Sequence, residues 1–267
     1  MIEISEYIKK VRASGRWCFT TGQAIADLKI SQPALRSGIY RLKKKGDIVS
    51  PAKNLYVIVP PEYQYLGCLP AAELIPILMK HWGLNYYACL LTAGMYHGAS
   101  HQKPQIFQIM VAKQIKPLIC GKVRVEFIRK KDMNGLPLQD FVVKTGILKV
   151  SSPELTAIDL LLYRLQSGGL NNIATVLSEL LEVMIPHKLI ETANLVEEKA
   201  CLQRLGYILE HIDPMEDEKR DDIVAKLHEY TATLKLTPVS LMAGLPTKNC
   251  SLNKKWMIIE NTTIEND

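Results

Sequence analysis

The stretch SQPALRSGIYRLKKKG, residues 31–46, carries the pattern that decides the fold of the first quarter of the chain. Its apolar residues Leu35, Ile39 and Leu42 recur at helical spacing, which predicts a helix with one face against a core. The other face is polar and basic, and it carries Arg36, Ser37, Tyr40, Arg41 and Lys44. Such a face is either a solvated helix surface or a surface that lies in a groove of nucleic acid. The flanking sequence has to decide between the two.

The residues before this stretch predict two shorter helices. The pattern of residues 4–13 predicts a first helix, which ends just before a glycine. After the short extended piece "RWCFTT", Thr20 or Thr21 can cap a second helix, "GQAIADL". Ser31 then caps the third helix, with Pro33 in its first turn. A short helix, a tight turn and a longer helix make a helix-turn-helix, whose second helix presents polar residues to base edges.

The residues after the third helix predict a β-hairpin. Gly46 ends the helix, and short strands at residues 48–49 and 55–59 flank the turn "SPAKN". The hairpin stops at the pair Pro60-Pro61. A basic-tipped hairpin in this position is the wing of a winged helix, used either on DNA or only for protein contacts.

The distribution of charge favours DNA. Residues 1–60 hold eleven Lys or Arg and four Asp or Glu, a net charge of +7, whereas the whole chain carries +6. The rest of the chain is therefore close to neutral at −1. A small basic module on a neutral body is typical of a nucleic-acid-binding domain joined to a second domain.

These patterns predict a mixed α/β (α+β) protein of two domains. We expect a winged helix-turn-helix DNA-binding domain over residues 1–60, a connector over residues 61–70 and a larger C-terminal α/β domain over residues 71–267. A length of 267 residues is comfortable for two domains.

Roles on the predicted DNA surface follow from position along the third helix. Four residues near its N-terminal half can reach base edges: Gln32, Arg36, Ser37 and Tyr40. Four basic residues toward its C-terminal end suit phosphates: Arg41, Lys43, Lys44 and Lys45. Lys53 and Asn54 at the wing tip can meet phosphate or a minor groove. Thr21 and Ser31, at the starts of the second and third helices, complete the predicted set.

Composition excludes several other classes of protein. No apolar run approaches the roughly 20 residues that span a bilayer, and the first ten residues do not resemble a signal peptide. The six cysteines are scattered without a CxxC pair, which is typical of reduced thiols in a cytoplasm and predicts no zinc ribbon. We expect a cytoplasmic, nucleoid-associated protein without a metal, a cofactor or a membrane partner.

The C-terminal body is predicted from periodicity to begin with helices near residues 71–80 and 86–96. Strands follow near 106–112, 123–128 and 147–150. A helix then opens at "SSPELTAIDLL", with Ser151 as its cap and Glu154 completing a capping box. Further helices are expected near residues 173–182, 189–198, 199–211 and 221–234, before a final strand, "KWMIIE".

Three long motifs in this body resemble the AbiEi antitoxin family. They are "YYACLLTAGMYHGASHQKPQIFQIMV", "SSPELTAIDLLLYRLQSGGLNNIATVLSEL" and "CLQRLGYILE". Members of this family are antitoxins of bacterial type IV toxin–antitoxin (abortive-infection) systems, also called transcriptional regulators of viral defence. The resemblance implies a winged helix that binds the inverted repeats of an operator and represses its own operon. It also implies a C-terminal domain that counters a nucleotidyltransferase toxin, with or without direct binding.

An enzyme is the alternative hypothesis, in which the winged helix only targets a nucleic-acid-modifying or nucleotide-handling activity to DNA. It predicts a pocket where Glu154, Asp159, His97 or His101 converge. Nothing in the spacing fixes a third metal ligand for the two histidines, and Glu154 and Asp159, five apart, do not share a helical face. "SGGLNN" is followed by an apolar helix instead of a metal-binding carboxylate pair, which favours a tight turn. We expect no catalytic residues.

A few charged residues remain. "RKK", residues 129–131, is expected to be a charge cluster at a strand end or a second DNA contact, and Arg204 is expected to form a buried salt bridge. Tail acids Glu260, Glu265 and Asp267 are expected to be solvated. The chain has no heptad run on which to dimerise, so we expect a monomer in solution that binds DNA cooperatively.

Overall fold

The first sixty residues form three helices and a small antiparallel sheet. The structure is a computed structural model that describes residues 4–99, 104–212 and 218–264. The helices of the first sixty residues are α1 (Ile4–Ala13), α2 (Thr21–Leu28) and α3 (Gln32–Lys45). The strands are β1 (Cys18–Thr20), β2 (Ile48–Ala52) and β3 (Leu55–Ile58). The strand order is β1-β3-β2. The predicted third helix is confirmed, with Ser31 as its N-cap and Gly46, at a φ of 78°, as its C-cap.

A single apolar core holds these elements together. Phe19 of β1 is fully buried at its centre, against α1 and the inward stripe of α3 formed by Leu35, Ile39 and Leu42. The ring of Tyr7 meets that of Phe19 edge to face, with centroids 5.4 Å apart. Gly38 lets α1 approach α3 closely, because a Cβ there would lie 3.0 Å from the side chain of Ile4.

A second, six-stranded sheet follows a short 3-10 helix (Pro61–Tyr63) and α4 (Ala71–Trp82). Its strands are β4 (Tyr86–Ala88), β5 (Phe107–Val111), β6 (Leu118–Cys120), β7 (Val123–Arg129), β8 (Leu138–Val143) and β9 (Gly146–Ser151). The order across the sheet is β6-β7-β5-β4-β9-β8. Strands β5 and β7 are parallel, and β6 runs antiparallel to β7.

The remaining elements are mostly helical. They are α5 (Leu90–Tyr96), α6 (Pro153–Leu162), α7 (Leu170–Leu180), α8 (Pro186–Val196), α9 (Lys199–His211), α10 (Glu218–Ala232) and three two-residue strands, β10 (Val239–Ser240), β11 (Leu252–Asn253) and β12 (Ile258–Ile259). Every residue of α6 from Pro153 to Leu161 is buried, so α6 is the central helix of this group. None of the described helices is long and apolar enough to cross a membrane.

The predicted mixed α/β class is confirmed, and the chain divides into two compact units. The first comprises Met1–Tyr87, Gln105–Asp132 and Asp140–Lys149, and the second comprises Ala88–Pro104, Met133–Gln139 and Val150–Asp267. Residues 1–60 thus share a unit with α4 and with much of the six-stranded sheet. A functional boundary at Pro60-Pro61 stays a prediction.

Several predicted elements need correction. The helix expected over residues 86–96 begins only at Leu90, because Tyr86–Ala88 forms β4, in which the aromatic Tyr87 is buried. Strands β6 and β8 were not predicted. β6 has only three residues, and β8 lacks an alternating pattern because most of its residues are exposed or half-buried. The final strand is likewise shorter than predicted.

The start of α6 also differs from the prediction. Ser152, not Ser151, is its N-cap, and the Ser152 side chain accepts a hydrogen bond from the backbone of Leu155. Glu154 does not complete a capping box. Its Oε1 instead accepts a 2.9 Å bond from the backbone N–H of Ile185, at the start of α8. A carboxylate can accept hydrogen bonds from the free backbone N–H groups at the start of any nearby helix. Here tertiary packing places the start of α8 within hydrogen-bonding distance of Glu154.

The C-terminal residues pack on α9 through Trp256, which is fully buried. Its indole N–H donates to Glu210 at 2.6 Å, and its carbonyl accepts from Gln203 at 3.0 Å. Gly206 makes this packing possible, because a Cβ there would lie 2.1 Å from the indole ring. The glycine in the motif "CLQRLGYILE" is therefore a packing requirement.

We predict that Gly206→Ala lowers the free energy of unfolding by about 3 kcal/mol, because the indole ring must leave its site. Chemical denaturation followed by tryptophan fluorescence and circular dichroism measures the loss. Gly22→Ala is the matched control, since a Cβ on this exposed helical glycine meets nothing within 4 Å. Equal midpoints for the two variants would contradict the packing role of Gly206.

Candidate functional site

The outward face of α3 is exposed along its whole length. Gln32, Arg36, Ser37, Tyr40, Arg41, Lys43, Lys44 and Lys45 are all exposed, and Tyr40 retains 68% of its accessible surface. Leu35, Ile39 and Leu42 lie on the opposite side and are at least 93% buried. The predicted division of the helix into an inward apolar stripe and an outward polar face is confirmed.

The cations of this face have no anionic partner in the part of the chain that the structure describes. None of Arg36, Arg41 or the lysines of residues 43–45 forms an ion pair there. The three lysines occupy the last turn of α3, where the negative end of the helix dipole favours positive charge. The face therefore keeps its charge available for an external anion.

Two serines of the predicted surface already make hydrogen bonds within α3. Ser31 Oγ accepts from the backbone N–H of Ala34 at 3.4 Å, and Ser37 Oγ donates to the carbonyl of Pro33 at 3.3 Å. Both side chains are exposed. The hydroxyl oxygen of Ser37 can still accept, so it suits a donor such as a base amino group better than a phosphate.

The tip of the β2–β3 hairpin is held against α2 and α4. Thr21 donates its hydroxyl to Asn54 Oδ1 at 3.3 Å and its backbone N–H to the Asn54 carbonyl at 3.2 Å. His81 of α4 donates to the carbonyl of Lys53 at 3.1 Å. Asn54 has a φ of 61°, a left-handed conformation that asparagine tolerates well. The structure thus brings Thr21 and Asn54 together, while the Lys53 side chain stays exposed.

Sequence reasoning missed the contribution of His81, which lies 28 residues from Lys53. No local pattern links a histidine in α4 to the hairpin tip. The Thr21–Asn54 pair, 33 residues apart, was likewise not predictable as a contact, although both residues were singled out individually.

A second group of polar side chains lies buried at the start of α6. The hydroxyls of Ser151 and Thr156 are 2.7 Å apart, and His97 donates to the Ser151 carbonyl at 2.6 Å. Burial lowers the pKa of His97, against the opposing effects of that hydrogen bond and of the nearby Glu154 carboxylate. Each of these groups is engaged in joining α5, β9 and α6, which is a structural use.

The geometry does not assemble the pocket that the enzyme hypothesis requires. The Glu154 carboxylate accepts its hydrogen bond at the start of α8, whereas Asp159 lies more than one turn further along α6. Burial and the charge of Asp159 raise the pKa of Tyr163 to about 12. Within residues 4–99, 104–212 and 218–264, no three His, Cys, Asp or Glu side chains are grouped as a metal site. His101 falls outside the described residues.

The glycine pair of "SGGLNN" forms the tight turn that was favoured over a phosphate site. Gly168 and Gly169 have φ values of 81° and 90°, and they join α6 to α7. Asn172 donates its side-chain amide to the Ser167 carbonyl at 2.7 Å, which closes the turn.

The other charged residues also have defined positions. Arg129 is the last residue of β7, so "RKK" begins at a strand end as predicted. The salt bridge predicted for Arg204 is wrong: its guanidinium donates to the carbonyls of Ser240 and Ala200. Glu260 is not simply solvated either, because it accepts hydrogen bonds from Ser251 and Tyr207 that lower its pKa. Glu265 and Asp267 lie outside the described residues.

Comparison with known proteins identifies the C-terminal segment. Residues 86–211 match the family described as the AbiEi antitoxin C-terminal domain. This match confirms the predicted resemblance to the AbiEi antitoxin family over that segment. The matched domain supports an antitoxin role in a toxin–antitoxin, abortive-infection setting, which implies a toxin as its counterpart. The family is regulatory and is not known for enzymes.

The fold has a counterpart among solved structures. The crystal structure of the RV2827C protein from Mycobacterium tuberculosis is similar with a TM-score of 0.67 and 15% identity, over 96% of this chain and 90% of that one. At that identity the similarity describes the fold alone. Among curated protein sequences, none matches significantly.

We predict that the hairpin tip depends on the left-handed backbone of Asn54. Asn54→Ala should lower the free energy of unfolding by about 1–2 kcal/mol, because alanine both strains the backbone and loses the contact with Thr21. Asn54→Gly loses only the side-chain contact, so its loss should be smaller. Urea denaturation of the two variants makes the comparison, and a larger loss for Asn54→Gly would contradict the assignment.

Proposed function

We propose that this chain is a DNA-binding autorepressor and antitoxin, which counters a nucleotidyltransferase toxin encoded in the same operon. In this proposal α2, the turn after it and α3 are a helix-turn-helix, and the β2–β3 hairpin is its wing. Residues 1–60 are the DNA-binding domain, residues 61–70 the connector and residues 71–267 the antitoxin domain.

The observation that carries the DNA-binding part is the exposed outward face of α3. Its cations have no partner in the described part of the chain, so binding a polyanion would break no existing ion pair. In this proposal α3 inserts in the major groove, and Arg36, Gln32 and Tyr40 meet the base edges. The cations near Gly46 contact phosphates in the same proposal, which gives affinity without sequence information.

The hairpin tip supports the same assignment. Lys53 is exposed at a tip whose backbone is fixed by His81 and, through Asn54, by Thr21. A fixed tip presents its lysine to a phosphate or a minor groove with little loss of conformational freedom on binding. In this role Thr21 and Asn54 position the wing and contact the DNA backbone at its edge.

The antitoxin part depends on the family assignment of residues 86–211. The polar groups at the start of α6 in this segment are engaged in structural hydrogen bonds, which favours a regulatory domain over a catalytic one. The toxin is then opposed functionally, and a direct complex is not required. We further propose a cytoplasmic, nucleoid-associated monomer that binds the inverted repeats of its operator cooperatively.

The experiment that tests the DNA-binding role compares two cations of α3. Arg36→Ala should cost about 1–3 kcal/mol on the operator and much less on random duplex DNA, because arginine reads guanine. Lys44→Ala should weaken binding to both DNAs about equally, because it contacts phosphate. Fluorescence anisotropy over a range of salt concentrations measures both, with an expected log–log slope of roughly −5 for the unmodified protein.

Identical behaviour of the two variants would contradict the assigned orientation of α3. A slope near zero would contradict the phosphate contacts. Lys113→Ala, which changes an exposed lysine outside the predicted DNA surface, is the control and should bind as the unmodified protein does.

A further inference from the structure

A cleft of about 340 Å³ lies within the first unit, on α4 and on the segment that leads into β1. Its walls come from residues 15–20, from the first turn of α2 and from one side of α4. The roles assigned above leave most of this cleft unused. Its volume is within the range of small-molecule sites, which is about 300–1,000 Å³.

Positive charge dominates the polar part of the cleft. Its charged residues are Arg16 and Lys80, and the lining contains no Asp or Glu. Neither Arg16 nor Lys80 forms an ion pair within the described ranges. Arg16 donates its Nε to Ser14 at 3.2 Å, which leaves its two terminal nitrogens available.

The two permanent cations converge on one point. Burial raises the pKa of the Cys18 thiol, and the charges of Lys80 and Arg16 both act to lower it. Both cations therefore lie close enough to the same sulfur to influence it, although they belong to different elements, α4 and the segment before β1. Both cations are exposed and have no anionic partner in the described part of the chain, so an external anion can approach the two together.

Neutral donors and an apolar wall complete the lining. Thr20 Oγ1 accepts from the backbone N–H of Gln23, and Gln23 Oε1 accepts from the backbone N–H of Thr20. This reciprocal pair uses the acceptor atoms and leaves the hydroxyl proton and the amide NH₂ group for another partner. Trp17, Leu55 and Ile77 supply the apolar surface.

We propose that this cleft binds a small phosphorylated molecule about the size of a mononucleotide. Its phosphate lies between Arg16 and Lys80, with Thr20 and Gln23 as further donors. Its apolar or ring portion packs on Trp17 and Ile77. A guanidinium and an ammonium together with hydroxyl and amide donors are the groups that hold phosphate in proteins. The site is independent of the proposed operator binding, so either proposal can fail without the other.

Isothermal titration calorimetry of the full-length protein at low salt tests the site, with AMP as the probe and no DNA present. AMP should bind at one site, and inorganic phosphate should compete with it. Adenosine should bind at least about tenfold more weakly than AMP, because it lacks the phosphate that the cations recognise. Arg16→Ala and Lys80→Ala should each weaken AMP binding about tenfold.

Lys113→Ala is the matched control, because this exposed lysine lies outside the cleft in the same unit. Absence of AMP binding, equal affinity for adenosine or unchanged affinity in both cleft variants would overturn the proposal. Circular dichroism melting of each variant checks that the fold is retained, and a conservative Lys80→Arg should restore AMP binding if charge is what matters. If Lys80→Ala instead changes only the salt dependence of DNA binding while AMP never binds, the cations serve the DNA backbone and the proposal fails.

Discussion

The burial of one apolar stripe on α3 determines how the rest of the N-terminal surface is presented. Leu35, Ile39 and Leu42 pack into the core around Phe19, and Gly38 lets α1 lie close against the same side of the helix. Because successive side chains of a helix point about 100° apart, fixing this stripe leaves Arg36, Tyr40 and Lys44 no orientation except outward. The basic face is thus a consequence of core packing.

The outward face of α3 and the start of α6 differ in how their polar groups are satisfied. On α3 the charged groups are exposed and have no ion-pair partner among the described residues, which suits binding to an external polyanion. At the start of α6 the polar groups of Ser151, Thr156 and His97 are satisfied internally, which rigidifies a buried junction between helices. This contrast favours a division of labour in which recognition lies in the N-terminal residues and the antitoxin segment provides a stable regulatory body.

Local patterns were sufficient to predict much of this structure, and long-range contacts account for what they missed. The helix periodicity and caps of α3 lie within sixteen consecutive residues, so its limits and its faces were predictable. The bond from Ile185 to Glu154, the support of the hairpin tip by His81 and the packing of Trp256 on Gly206 all join distant residues. Their partners are set by tertiary packing, which no local propensity encodes. The cleft beside Arg16 was not predicted from the sequence for the same reason, because its second cation, Lys80, lies on the distant helix α4.

The central claim is that one chain carries two separable functions, and a charge variant of the full-length protein tests it most directly. Deleting residues 1–60 would expose the side of α4 that they cover, so a triple variant Arg36→Ala, Lys43→Ala, Lys44→Ala is preferable because it changes only exposed side chains. The variant is supplied from an independent promoter to cells that express the partner toxin, and growth and repression of the operon are measured together. The account predicts that repression is lost while growth is rescued as well as by the unmodified protein. A variant that is folded and present at normal levels, yet does not rescue growth, would contradict the account, because protection against the toxin would then require DNA binding.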